Sequence, residues 1–232
     1  MVLIKGLQKT TLLDYPGKLA CTVFLAGCNL RCGYCYNSDL AIRHHKIPTI
    51  SQEHFFDFLK SKKQILEGVA ITGGEPTIHP DLPEFAHKIK ELGFSLKLDT
   101  NGTNPSMVES MLNQGLIDYI AMDIKSCPRE YSMVCGVDVS LRDIRRTVDI
   151  IKNSHIDHEF RTTVIPDMIS DEHIRQIADL VAGAKKFAIQ QFMANSKTID
   201  AKYRTMDSVR ESELHSFAEI LTPYVGEVVV RK

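Results

Sequence analysis

Three thiols stand within an eight-residue stretch. Cys28, Cys32 and Cys35 form a C-x3-C-x2-C run inside Gly27-Cys28-Asn29-Leu30-Arg31-Cys32-Gly33-Tyr34-Cys35-Tyr36-Asn37. Thiolates that close can converge on one metal centre, and soft sulfur donors select zinc, copper(I) or an iron–sulfur cluster. A closed structural site takes four protein ligands, whereas a centre that does chemistry keeps a position open. Three cysteines fit the second case. A Cys3His zinc site completed by His44 or His45 stays open on spacing alone. A disulfide reading is poor, because nothing else in the chain looks secreted.

Other residues able to do chemistry sit at the ends of apolar runs. Gly73-Gly74-Glu75-Pro76 follows one such run. Two glycines let a ligand approach the backbone, and the alternative is a turn that starts a helix. Asp99-Thr100-Asn101-Gly102 and Asp123-Ile124-Lys125 end two further runs. The plainer readings are an Asx-turn begun by Asp99 and a pair between Asp123 and Lys125. Arg161 lies in an otherwise apolar segment, where a charge is costly unless paired. Cys21 reads as a small core residue, and Cys127 and Cys135 as ordinary free thiols without metal-ligand spacing, the alternative being a thiol near the active site.

The elements that must position these groups alternate. Residues 1–18 read as a lead-in with a turn at Asp14-Tyr15-Pro16-Gly17, and 38–50 as loop. Strands are expected at about 19–26, 68–72, 94–98, 117–124, 159–165 and 187–192, with a closing strand at 225–230. Helices are expected between them, with a loop between the strand at 117–124 and Ser140. Ser51, Ser140 and Ser170 serve as caps, and Ser208 with Glu211 forms a capping box for the last helix. Six strand–helix pairs imply an α/β fold with a parallel sheet. The polar motifs leave strand ends, at the edge where such folds place their sites. Pattern alone does not separate an open sheet from a barrel.

The chain of 232 residues, 44% of them hydrophobic, fits one domain spanning 1–232, with a core at about 19–192 and a C-terminal extension at 193–232. Its 28 basic and 29 acidic residues give a net charge of −1, which makes no electrostatic case for nucleic-acid binding. No apolar run is long enough to span a bilayer, and the N-terminus lacks a signal peptide's pattern. A cytoplasmic protein with reduced thiols is the expectation.

The C-x3-C-x2-C run with Tyr34 before its last cysteine resembles the radical S-adenosylmethionine enzymes. Gly-Gly-Glu-Pro follows at a matching distance, 40 residues from Cys35 to Glu75. The resemblance implies a partial (β/α)6 barrel and one 4Fe–4S cluster held by Cys28, Cys32 and Cys35. The free iron is chelated by the amino and carboxylate groups of S-adenosylmethionine. It implies cofactor contacts from Tyr34, Gly73, Gly74 and Glu75, the last three toward the methionine amino group. The Asp-Thr-Asn-Gly and Asp-Ile-Lys segments, with Arg161 in an Arg-x-x-Val-x-Pro pattern, resemble the activating enzymes of glycyl-radical proteins. Asp99, Thr100 and Asp123 would order the cofactor's carboxylate side, directly or through a bound monovalent cation. Asn101 would lie near the ribose, Lys125 would place the cofactor or a partner loop, and Arg161 would reach the same region. The opening Leu13-Asp14-Tyr15-Pro16-Gly17-Lys18 and Gln190-Gln191-Phe192 are most similar to the activating proteins of anaerobic ribonucleoside-triphosphate reductase. By resemblance, an external flavodoxin- or ferredoxin-like donor reduces the cluster. S-adenosylmethionine is cleaved to methionine and a 5′-deoxyadenosyl radical, which takes hydrogen from a glycine of the partner. The alternatives are a pyruvate formate-lyase-type activase, a small radical enzyme acting on a small molecule, and a non-catalytic zinc-bound interaction domain.

Overall fold

The computed structural model describes residues 1–194 and 197–232; residues 195 and 196 of the expected extension lie outside the described residues. Strands are β1 (Ile4–Thr11), β2 (Ala20–Leu25), β3 (Gly68–Gly73), β4 (Ser95–Thr100), β5 (Tyr119–Asp123), β6 (Asp157–Val164), β7 (Lys186–Gln191) and β8 (Glu227–Arg231). Helices are α1 (Ser38–Ile42), α2 (Gln52–Ser61), α3 (Leu82–Glu91), α4 (Pro105–Asn113), α5 (Tyr131–Cys135), α6 (Leu141–Asn153), α7 (Asp171–Val181) and α8 (Glu211–Leu221). Strand order follows chain order, β1 to β8. The chain forms two compact units. One holds Met1–Asn29, Asn37–Thr100 and Ser106–Ile120; the other holds Leu30–Tyr36, Asn101–Pro105 and Ala121–Lys232.

In the first unit β1 runs antiparallel to β2, and β2, β3 and β4 are parallel, with Val23 opposite Ile71 and Ile71 opposite Leu98. Cys21, Val23, Leu25, Val69, Ala70 and Ile71 are buried, the continuous apolar run expected of a strand covered on both faces. Burial pushes the Cys21 thiol up to about 12, so it is a neutral core group. Ser51 accepts from the His54 N–H and starts α2 as expected, and Phe55 of α2 stacks on Phe85 of α3 at 5.4 Å. The Asp118 N–H donates to Leu96 O at 2.8 Å, which brings the start of β5 beside β4.

In the second unit β6, β7 and β8 are parallel, with Phe160 opposite Phe187 and Ile189 opposite Val230. The Ile124 N–H donates to Arg161 O at 2.7 Å, so the end of β5 lies along β6. Ser140 and Ser170 cap α6 and α7, and His173 completes the capping box at Ser170.

Four expectations are corrected. The lead-in contains β1, whose Ile4 and Thr11 are buried while Gln8–Thr10 are exposed. The segment 38–50 contains α1 and a short 3-10 turn at His44–Lys46. The loop before Ser140 contains α5. Ser208 does not cap α8: its hydroxyl donates to Phe192 O at 3.2 Å, Arg210 takes the cap position, and no side chain caps that end.

Candidate functional site

The site begins where β2 ends. The Gly27 N–H donates to Leu40 O at 2.8 Å and leads into Cys28, which is half-buried. Beside it runs the Gly73–Gly74–Glu75 turn. The Gly74 N–H donates to Leu25 O at 3.0 Å, and the Glu75 N–H to Gly27 O at 2.8 Å. A Cβ added at Gly73 would lie 2.3 Å from Leu25 N and O, and one at Gly74 would lie 1.7 Å from Gly27 O. On the side where a side chain would point, the close approach at these glycines comes from the backbone leading to Cys28. They dock two strand ends against each other.

Glu75 is 1% exposed. Its Oε1 accepts from the Thr77 N–H at 3.0 Å, the Thr77 hydroxyl at 2.6 Å and the Thr100 hydroxyl at 2.8 Å. Thr100 thereby ties the end of β4 to the Glu75 turn. Asp99 pairs with the buried Lys97, and the Lys97 ammonium lies 5.9 Å from the Tyr119 ring centroid. Two residues on, Asn101 forms an Asx-turn, its Oδ1 accepting from the Thr103 N–H and hydroxyl at 3.0 and 2.7 Å.

The second unit carries the other half of the candidate residues. Asp123 at the end of β5 accepts from Arg161 Nε at 2.7 Å and from Lys125 Nζ at 2.9 Å. Burial alone would raise the Asp123 carboxyl, but the Arg161 and Lys125 charges outweigh it and hold it well below the usual carboxylate range. Burial likewise opposes the Lys125 charge, and Asp123 more than offsets it, so the ammonium is held above its ordinary range. The expected Asp123–Lys125 pair and an intramolecular partner for Arg161 are both present. Arg161 Nη1 also stands 4.0 Å from buried Glu159, which Arg231 grips through two bonds of 3.0 and 2.7 Å.

Cys32 is buried and Cys35 half-buried, joined by a turn in which the Cys35 N–H donates to Cys32 O at 3.0 Å. A hydrogen bond from Cys135, assisted by Lys125 and opposed by burial, lowers the Cys32 thiol to about 7. Cys135 is therefore no ordinary free thiol. It ends α5, and its carbonyl also accepts from the Arg31 N–H at 2.8 Å. Tyr131, at the start of α5, is fully buried; its hydroxyl accepts from the Lys125 N–H at 3.3 Å. Tyr34 is 7% exposed and packs edge-on against Tyr203, ring centroids 6.1 Å apart. Burial pushes its phenol up, although Lys125 pulls the other way.

Sequence reasoning missed Lys97 and Tyr203, and left Cys135 between an ordinary thiol and one near the site. The signal for Lys97 was present, because a lysine inside an apolar strand needs a partner, the argument applied to Arg161. The spacing of Tyr131, Val134 and Cys135, three and four residues apart before Gly136, marks the short helix. Nothing local marks Tyr203. The ligand atoms of Cys127, Glu130 and His173 also lie within 4.8 Å of one another. There the Ser170 N–H donates to His173 Nδ1 at 3.2 Å, leaving the ring proton on Nε2, which faces Glu130 at 3.5 Å. The trio joins the Pro128–Glu130 turn to the first turn of α7.

The class follows from comparison with known proteins. The Radical SAM superfamily pattern matches residues 22–181, and the chain belongs to that superfamily, whose members use a 4Fe–4S cluster and S-adenosylmethionine. A protein of Methanocaldococcus jannaschii, provisionally named a glycyl-radical enzyme activating enzyme, is 34% identical over 99% of this chain and 95% of its own length. The pyruvate formate-lyase-activating enzyme of Clostridium pasteurianum is 27% identical over 77% of this chain and 75% of its own. These relatives place the chain among the glycyl-radical enzyme activating enzymes, which are oxidoreductases. Streptococcus suis SuiB, solved with S-adenosylmethionine bound, shares the fold at a TM-score of 0.68 with 17% identity, across 89% of this chain and 48% of that one. The α/β parallel-sheet class expected from the sequence is the class found, consistent with a partial barrel. Among the described residues no helix is long and apolar enough to cross a membrane.

The donor set fits the family's cluster. It consists of three thiols, one buried and two half-buried, none in a disulfide, and Cys32 sits at the edge of ionisation near neutral pH.

Proposed function

We propose that the chain acts as one catalytic domain that generates a glycyl radical on a partner enzyme, and that the partner is an anaerobic ribonucleoside-triphosphate reductase. The single observation that carries the activase reading is the 34% identity over nearly the full length of an activating-enzyme relative. The choice of reductase rests on the Leu13-to-Lys18 and Gln190-Gln191-Phe192 segments. The first is a built turn. Thr11 Oγ1 accepts from the Leu13 and Asp14 N–H groups, Asp14 accepts from the Thr22 hydroxyl at 2.6 Å, and Tyr15 is buried. Leu12 and Leu13 stand 74% and 90% exposed on that turn, as suits contact with a protein.

In this reading Cys28, Cys32 and Cys35 hold the cluster. When bound and reduced by a flavodoxin- or ferredoxin-like donor, the cluster would supply the one electron for reductive cleavage of S-adenosylmethionine, the chemistry from which a glycyl radical on the partner would follow. The chain's own groups bind and orient. Glu75, fixed by three donors, presents its carboxylate toward the methionine amino group beside Gly73 and Gly74. Asp99, Thr100 and Asn101 line the adjacent strand end. Lys125, held charged by Asp123, and Arg161, paired with the same carboxylate, offer donors to the cofactor's carboxylate side, and the buried Tyr34 stiffens the cysteine turn. No side chain has to move a proton.

The test is anaerobic. The protein is reconstituted with iron and sulfide, reduced, and given S-adenosylmethionine with the reductase. The expected result is 5′-deoxyadenosine together with a glycyl-radical doublet in electron paramagnetic resonance. A reductase with its target glycine replaced by alanine that still acquires the radical there refutes the reading.

A further inference from the structure

We infer that residues 197–204 form a strap that positions the cysteine turn, with Tyr203 as the positioning residue. This rests on the reading that Cys32 and Cys35 hold the cluster. The Asp200 N–H donates to Gly33 O at 2.9 Å, inside the turn between the two cysteines. The strap is itself braced. The Asp200 carboxylate accepts from the Lys202 N–H at 3.0 Å, the Thr198 hydroxyl donates to Asp200 O at 3.0 Å, and Arg204 donates to Thr198 O at 3.3 Å. Tyr203 is 4% exposed. Its ring meets Tyr34 and Phe192 edge-on, each at 6.1 Å, and its hydroxyl donates to Met168 Sδ at 3.3 Å.

Gly33 supplies the second observation. It does not have the positive φ that would demand glycine. A Cβ there would instead lie 2.7 Å from Tyr203 Cε2 and 3.2 Å from Asp200 Cβ. Glycine is required at this position by space, and the strap fills that space. The Tyr203 ring is held on three sides, so it cannot swing aside cheaply. Any side chain at position 33 pushes the turn off the strap, and removing the Tyr203 ring frees the turn from its lid. Groups that orient metal ligands from behind govern how tightly the metal is held.

The experiment compares wild type, Tyr203→Phe, Tyr203→Leu, Gly33→Ala and the Gly33→Ala/Tyr203→Leu double variant, each shown to be folded by circular dichroism. Two readouts do not need turnover. One is the rate of iron release to a chelator, with the resonance spectrum of the reduced cluster. The other is the alkylation rate of Cys32 and Cys35 in cluster-free protein, mapped by mass spectrometry. Tyr203→Leu and Gly33→Ala should each release iron roughly tenfold faster, with a changed spectrum and faster alkylation. Tyr203→Phe should match wild type, since it keeps the ring. The double variant should be less impaired than the two single effects combined, because the clash is gone. Unchanged iron release and alkylation in both single variants overturns the strap while leaving the cluster reading intact. Wild type that binds no iron, with the alkylation differences between it and the variants still present, overturns the cluster reading and leaves the strap.

Discussion

Replacing Asp123 with asparagine tests the charged cluster directly. The carboxylate meets Arg161 Nε at 2.7 Å and Lys125 Nζ at 2.9 Å, and those side chains are 13% and 19% exposed. Removing one partner of a buried ion pair costs about 3–5 kcal/mol, because the remaining charge loses its compensation. Two features reduce this. Arg161 keeps its approach to Glu159 at 4.0 Å, and asparagine retains an acceptor oxygen of nearly the same shape. The expected loss is therefore about 2–3 kcal/mol, below that range. For a chain of this size each kcal/mol moves the melting temperature by about 2–4 °C, so Asp123→Asn should melt roughly 4–12 °C lower. The pH dependence has a fixed sign. The wild-type carboxyl is held below its ordinary value, so its contribution is fully present above about pH 4 and is lost as pH falls through the lower folded value. The difference between the proteins should hold from pH 8 to about pH 5 and shrink only in stronger acid. Differential scanning calorimetry measures both. A difference under about 2 °C at pH 7, or one that has vanished by pH 6, refutes the account.

Other substitutions probe the rest of the site. Cys32→Ala should reduce iron after reconstitution from about four per chain to a small residue, read by colorimetric iron assay. Cys135→Ala removes the donor that steadies the Cys32 thiolate, so the Cys32 pKa should rise from about 7 toward the ordinary thiol value. Alkylation of Cys32 in cluster-free protein at pH 7 should then slow roughly tenfold, and an unchanged rate contradicts that role for Cys135. Gly74→Ala would set a Cβ 1.7 Å from Gly27 O and should leave little soluble protein, whereas Gly17→Ala, with nothing within 4 Å, should cost only about 1 kcal/mol for its left-handed backbone. Burial holds the imidazoles of His79 and His158 below the usual value, so the folded state favours their neutral forms. Stability in denaturant titrations should fall as pH drops below about 6.5, where the unfolded chain takes up those protons first.

The parts legible in the sequence are those where a local pattern has one physical solution. β2 and β3 are continuous apolar runs because both faces are covered, and such runs need no partner to be recognised. β1 escaped because an edge strand with Gly6 and an exposed Gln8–Thr10 stretch has no repeating pattern. Ser208 illustrates the opposite error. Its sequence context makes a capping box, but a tertiary acceptor at Phe192 takes the hydroxyl, and local chemistry alone cannot foresee that competition. The site divides the same way. Cysteine spacing and the strand-end motifs name the residues, the Asp123–Lys125 pair among them, and a partner for Arg161 followed from the rule that a charge in an apolar strand needs one. The same rule reaches Lys97. It does not reach Cys135 beside Cys32, or Tyr203 above Gly33, because those contacts join segments about 100 and 170 residues apart and leave no periodic trace. Gly33 is the informative case. In sequence it is an ordinary glycine between two cysteines, and its backbone would accept any residue. Only with the strap in place does its missing side chain acquire a cause. What a sequence hides, then, is the set of residues that hold the reactive groups in place from behind: here Cys135 at the end of a short helix, and Tyr203 in a tail that carries no motif of its own.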